Sequence, residues 1–231
     1  MLDQAIRYGS ILSQPEYEKN GIILEIGSGT EGITGFTEER VIGVDVRFEG
    51  PVSKNVLAVR ASVTSLPFRN ASFNRVVCSD VMEHLPVGVR PEAVNELLRV
   101  SKESLFLACP CGNPARRLDG FFLHLYGLFR IPPPDWMAEH REMEIPDAGS
   151  IRLSLSQSGA SFRELPGESW VIHFFVTLLI SLRMLNNQWR KMFQNKRELA
   201  GKLGRIGVLS GRAPYRKLWI VNRTESESKE G

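Results

Sequence analysis

A doubly wound, mostly parallel α/β sheet is predicted by three features of this 231-residue chain. An apolar run enters a glycine-rich turn at residues 22–32. A second apolar run ends in a carboxylate at Asp45, and short apolar runs alternate with helical stretches as far as residue 110. Leu2, Ile6, Ile11 and Leu12 are spaced for a leading helix that Asp3 could help cap. The first strand follows, and Gly27, Gly29 and Gly32 then form Gly-x-Gly-x-x-Gly; Ile33 and Phe36 fit a helix packing back on the sheet. Residues 41–45, 56–59 and 73–78 read as the second, third and fourth strands. Pro91 opens a helix with Ala93, Val94, Leu97 and Leu98 on one face, and residues 105–108 are a fifth strand. Sheets of this kind bind ligands at the carboxyl ends of their strands, where Gly27, Asp45 and Ser79-Asp80 fall.

Beyond residue 110 the rhythm changes. Residues 110–147 carry six prolines (Pro110, Pro114, Pro132, Pro133, Pro134 and Pro146), which predicts a lid or substrate loop. Residues 151–158 read as a helix stopped by Gly159, residues 162–165 as an edge strand, and residues 170–210 as a helical insertion. Residues 215–222 form the seventh strand, and the polar tail 224–231 is expected to be disordered. The length fits one domain over residues 1–223, with a ligand-binding core at 20–110.

Composition narrows the class further. The formal charge is only +3, yet residues 183–217 hold ten Lys/Arg against Glu198. Three cysteines, Cys78, Cys109 and Cys111, cannot pair completely, and Cys109-Pro-Cys111 lacks zinc-site spacing; no metal is expected, and a reducing compartment is. The first residues show no basic segment followed by an apolar run, so a cytoplasmic location is expected.

Glu25, two places before the first glycine, would repel a pyrophosphate in the turn. An anion there suits a ligand with ammonium and sulfonium groups, and S-adenosylmethionine has both. A nicotinamide-dependent oxidoreductase is the rival reading, because the glycine pattern and Asp45 also fit that fingerprint. A non-catalytic cofactor-binding protein of the same fold is another.

Five segments in order resemble the class I S-adenosylmethionine-dependent methyltransferases of the Leu-Pro-Phe/Glu-His, or type 11, group. They are residues 24–32, Gly43-Val44-Asp45, Leu66-Pro67-Phe68, residues 76–86 and residues 96–100. The resemblance implies a seven-stranded Rossmann-like sheet closed by an antiparallel C-terminal strand. It implies that Glu25, Gly27, Ser28, Gly29 and Gly32 hold the methionine end of the cofactor and that Asp45 accepts hydrogen bonds from the ribose hydroxyls. Val46 would flank the adenine. Ser62-Val63 stands where the family usually has Asp-Ala beside the adenine amino group. Ser79, Asp80 and Val81 would lie by the transferred methyl. His84 is a candidate general base, and His140 in the 110–147 segment a second; Glu83 is read as structural, and His124 and His173 as core or interface histidines.

Residues 170–182 are strongly apolar apart from a stripe of His173, Thr177 and Ser181. At this length they do not span a bilayer, which needs about 20 residues. The helix therefore caps a pocket, meets a second copy in a homodimer, or lies on the inner face of a membrane with the basic residues of 170–217 against anionic headgroups. A small or amphipathic acceptor is expected, and the apolar insertion beside the last strand suggests a lipid-linked glycan or a quinone-like molecule. Trp189, Phe193 and Tyr215 are too scattered for an RNA-binding face, so no nucleic-acid partner is expected.

Overall fold

The computed structural model describes residues 2–18, 20–130, 132–181 and 214–223. Seven strands make one sheet: β1 (Ile23–Ile26), β2 (Val41–Asp45), β3 (Val56–Arg60), β4 (Phe73–Ser79), β5 (Ser101–Pro110), β6 (Phe162–Ser169) and β7 (Pro214–Asn222). Their order is β3-β2-β1-β4-β5-β7-β6. The first five strands run parallel, and β7 lies antiparallel between β5 and β6. Ile26 pairs with Val44 and Cys78, and Ser79 with Ala108, so the turns after β1, β2 and β4 meet at one end of the sheet. Arg216 of β7 pairs with Pro110 at that same end.

Both faces are covered, which is why the central strands read as continuous apolar runs. Side chains alternate by twos. Val76, Cys78, Leu105, Leu107, Trp219 and Val221 pack with α2 (Arg90–Val100) and α5 (Ala148–Gln157). Val77, Phe106, Ala108, Leu218 and Ile220 face Tyr8 and Ile11 of α1 (Leu2–Leu12). A third cluster joins Ala115, Leu118 and Phe122 of α3 (Gly112–Leu128) to Met137 of α4 (Asp135–Met143) and Tyr215.

Two elements differ from expectation. The helix expected after the glycine turn is a single 3-10 turn, Gly32–Gly35. Gly32, Thr34 and Gly35 are poor helix formers, and the Ile33 N–H is bonded to the Glu25 carboxylate. The 110–147 segment is mostly helical rather than a loop. Pro114 stands in the first turn of α3, where a missing N–H costs nothing, and Pro132, Pro133 and Pro134 lie between α3 and α4. Pro166 lies in β6, an edge strand as expected, where the chain slips register. The helical insertion is described as α6 (Trp170–Ser181); its remainder, residues 182–210, and the tail 224–231 lie outside the described residues.

Candidate active site

The glycine turn begins where β1 ends. Gly29 has φ +51°, and a Cβ placed there would meet nothing within 4 Å, so bare backbone borders open space. Gly32 also has φ +51°, but a Cβ there would collide with the Glu25 carboxylate. Glu25 is buried under the turn, where its oxygens accept the Ile33 N–H at 2.9 and 3.0 Å. Its charge thus shapes the turn from within. Burial pushes its pKa up to about 7, against the opposing pull of the Ile33 N–H and the Tyr8 hydroxyl.

A raised carboxyl pKa makes the fold hold a proton that the unfolded chain has released. That stability is complete below the ordinary value of 4.5 and is lost as pH rises through about 7. The loss amounts to about 3 kcal/mol at most. In Glu25→Gln, urea unfolding at pH 4.5 and at pH 7.5 is expected to lack this share of the wild-type decline. Equal declines in the two proteins would show that Glu25 does not titrate in this range.

Asp45 ends β2 and braces the same turn. Its Oδ2 accepts the Gly29 N–H at 2.9 Å and its Oδ1 the Arg47 N–H at 3.2 Å. A carboxylate has about four acceptor positions, so each oxygen can accept another donor. Val46 beside it is 63% exposed, an apolar side chain left in water. Ser62 is exposed, with its hydroxyl 2.9 Å from that of Thr64, whereas the Val63 side chain is in the core, so only the Val63 backbone could border a ligand. Ser28 is buried and bonds the Gly29 carbonyl at 3.1 Å.

At the tip of β4, Ser79 is buried and Asp80 has φ +55°, a left-handed conformation that Asp tolerates better than most residues. Val81 packs against Gly27. Arg216 clamps Asp80 with two bonds of 2.7 Å, and Arg7 of α1 adds a third at 3.1 Å. Burial alone would raise the Asp80 pKa, but Arg216 and Arg7 hold it near 2. Arg216 also pairs with the buried Glu168 and lies 3.9 Å from Asp3. Sequence reasoning missed this cluster. It counted Arg216 and Lys217 with the basic stretch, yet Arg216 is buried and Lys217 pairs with Glu164.

Beside Asp80 opens a cavity of about 260 Å³, walled by residues of α1, α3, α4, α6 and β7. Both candidate histidines line it. His84 Nδ1 is 2.7 Å from Glu139 Oε2; burial and then the nearby His140 lower its pKa. His140 is buried, with Nδ1 2.8 Å from Asp119 Oδ2, and the Tyr215 hydroxyl donates to the other Asp119 oxygen at 3.0 Å. Glu83, read from the sequence as structural, is buried in the wall of the cavity. Neither of its oxygens meets hydrogen-bond geometry with a partner among the described residues, and burial, then Asp80, raises its pKa well above the ordinary range. His173 also lines the cavity, stacked on Tyr215 at 3.5 Å, while His124 is exposed rather than in the core. The clue to Asp119 was its place four residues before Leu123 on the inner side of a helix, but only the fold brings it to His140.

The family described as "Methyltransferase domain" matches residues 24–109, the segment that carries the glycine turn, Asp45 and the β4 tip. Residues 24–109 carry a methyltransferase domain, and the chain has the fold of the class I S-adenosylmethionine-dependent methyltransferases. No curated protein matches the sequence. Among solved structures, the chain resembles a possible histamine N-methyltransferase from Thermotoga maritima, at 11% identity and TM-score 0.53 over 96% of this chain and 89% of that one. It also resembles the YcgJ protein of Bacillus subtilis, at 17% identity and TM-score 0.50 over 97% and 100%. A third is phosphoethanolamine N-methyltransferase 2 of Haemonchus contortus, solved with phosphomonomethylethanolamine and S-adenosylhomocysteine, at 12% identity and TM-score 0.54 over 96% and 53%. At such identities the likeness is one of fold.

Proposed function

We propose that this protein is an S-adenosylmethionine-dependent methyltransferase that modifies an amphipathic acceptor at a membrane surface, with the acceptor in the 260 Å³ cavity and the cofactor over the glycine turn. The observation that carries the reading is the polarity of α6, which runs opposite to that of an ordinary surface helix. His173 and Thr177 are buried and line the cavity, while Trp170, Val171 and Phe175 face outward, Phe175 at 56% exposure. Phe121, Leu128 and Phe129 of α3 are exposed as well, and Phe121 lies 5.9 Å from Phe174. Such a clustered aromatic and aliphatic surface suits burial at the headgroup boundary. No helix among the described residues is long and apolar enough to cross a membrane. Of the ten basic residues at 183–217, eight lie outside the described residues.

The residues at the strand ends fit the cofactor. Gly29 leaves room for it, Asp45 has acceptor capacity for two ribose hydroxyls, and exposed Val46 offers an apolar face to adenine, with Ser62 and the Val63 backbone at the ring edge. Ser79, Asp80 and Val81 would border the reacting centre. When bound, the cofactor supplies a methyl group already activated on a sulfonium. The chain's own task is then alignment of the nucleophile, exclusion of water, and removal of one proton toward the wall where Glu83, His84 and His140 converge.

Incubation with labelled methyl donor and separated lipid, glycan and RNA pools is expected to label the lipid-linked pool. Label confined to a water-soluble pool would overturn the lipid reading. In parallel, the protein is expected to float with anionic liposomes, and Phe175→Glu to reduce that fraction several-fold. A protein that stays in the soluble fraction and sediments as a dimer would assign the α6 face to a second copy instead.

A further inference from the structure

We propose that Glu83, His84 and His140 bind a divalent transition-metal ion of the zinc class in the wall of the acceptor cavity. The inference deepens the reading of that cavity as the acceptor site and rests on it only for the metal's role, not for its binding. A nitrogen of each imidazole and a Glu83 oxygen lie within 4.8 Å of one another, and His140 Nε2 is 3.9 Å from Glu83 Oε1. A tetrahedral ion with bonds of about 2.0 Å needs its ligand atoms about 3.3 Å apart, so the three donors need only a modest contraction.

Two independent features point to a cation rather than to a chance grouping. The first is the orphaned carboxyl. Glu83 is 1% exposed, and both its oxygens lack a hydrogen-bond partner among the described residues. An ionised carboxylate in that state costs several kcal/mol, and a protonated one still has an unmet donor. The nearby cations act on it only from a distance, because Arg216 is bonded to Asp80 and Glu168, and Arg7 to Asp80. A bound divalent ion would satisfy it directly.

The second feature is the setting of the two histidines. Each has Nδ1 against a carboxylate, His84 on Glu139 and His140 on Asp119, and Asp119 is itself held by Tyr215. With Nδ1 protonated toward those carboxylates, Nε2 carries the lone pair on each ring. Metal-bound histidines almost always show this outer carboxylate or carbonyl, which fixes the tautomer and raises ligand basicity. Two imidazoles and one carboxylate select zinc or a similar transition ion over magnesium or calcium, which prefer all-oxygen shells. Three protein ligands leave a fourth position for water or an acceptor oxygen, whose proton the ion would make easier to lose. The other convergence of such groups, Asp3, Glu168 and His173, lacks this character because Arg216 already faces both carboxylates.

The test uses the whole chain, stripped with a chelator and titrated with zinc chloride against a chromophoric competitor, with cobalt as a second, spectroscopic probe. One equivalent is expected to bind. His84→Ala and His140→Ala are expected to weaken it at least 100-fold, Asp119→Asn about 10- to 100-fold, and His124→Ala, outside the cluster, not at all. Glu83→Gln, nearly isosteric, guards against a folding defect in the histidine variants, and circular dichroism checks each. The ligand-field spectrum of cobalt should disappear with the zinc affinity. Failure of the wild type to bind zinc, or equal binding by the double His84→Ala/His140→Ala variant, overturns the proposal. Calorimetry with S-adenosylhomocysteine on the stripped protein keeps the two readings apart. Intact cofactor affinity without zinc binding refutes the metal alone, whereas zinc binding without any methyl transfer refutes the acceptor role and leaves the site.

Discussion

Arg216→Met is expected to cost about 3–5 kcal/mol of folding stability at pH 7, the penalty for leaving buried carboxylates without their cation. Methionine keeps much of the side chain's volume, so the loss isolates charge from packing. Arg216 makes two bonds to Asp80 and one to Glu168, so its removal strands Glu168 and leaves Asp80 with only the 3.1 Å bond from Arg7. The pH dependence separates this from general damage. In the wild type, Asp80 is held near pKa 2, below the ordinary 3.8, and stabilises the fold above about pH 4, a contribution lost as pH falls toward 2. In the variant the two acids take up protons more readily, so the gap between the two proteins should narrow between pH 7 and pH 3.5. Urea denaturation at both pH values measures it. A cost under about 1 kcal/mol at pH 7 would mean that the cluster contributes little.

Asp45→Ala is expected to raise the dissociation constant for S-adenosylhomocysteine by about 100-fold or more. Hydrogen bonds to a charged acceptor are worth about 1.5–3 kcal/mol each, and two ribose hydroxyls would be left unmet. Asp45→Asn, which keeps one acceptor, should fall near 10-fold. Stability should change little, since Asp45 braces the turn through the Gly29 and Arg47 N–H groups at the protein surface. Calorimetric titration of the folded variants decides it. Unchanged affinity in Asp45→Ala would remove the residue from the cofactor site.

Much of the sheet was legible because strands buried on both faces leave uninterrupted apolar runs, and the segments at 41–45 and 73–78 fall within a residue or so of β2 and β4. The glycine turn was readable because Gly29 and Gly32 require left-handed backbone. What followed it was not, since Ile33 and Phe36 at helical spacing are equally compatible with one 3-10 turn held by Glu25. The role of Glu25 was legible in type but not in direction: the sequence gives a carboxylate near the turn, and only the fold turns it inward. The Asp80–Arg216 clamp joins residues 136 positions apart, and no local pattern records that. A basic residue just ahead of the apolar run Leu218-Trp219-Ile220-Val221 was the available signal, because a strand inserted mid-sheet has no solvent side to offer it. The same holds for Asp119 and His140, whose pairing depends on how α3 and α4 cross.

The placing of β7 between β5 and β6 gives the chain an order of assembly. A ribosome releases β1 through β5 and the residues of the Asp80 tip long before it reaches Pro214, so the sheet first exists with an unfilled slot beside β5. During that interval Asp80 has only the guanidinium of Arg7 to meet, and Glu168 lacks that of Arg216. Completion of the catalytic end therefore comes after the five parallel strands are made and is tied to the insertion of a single strand.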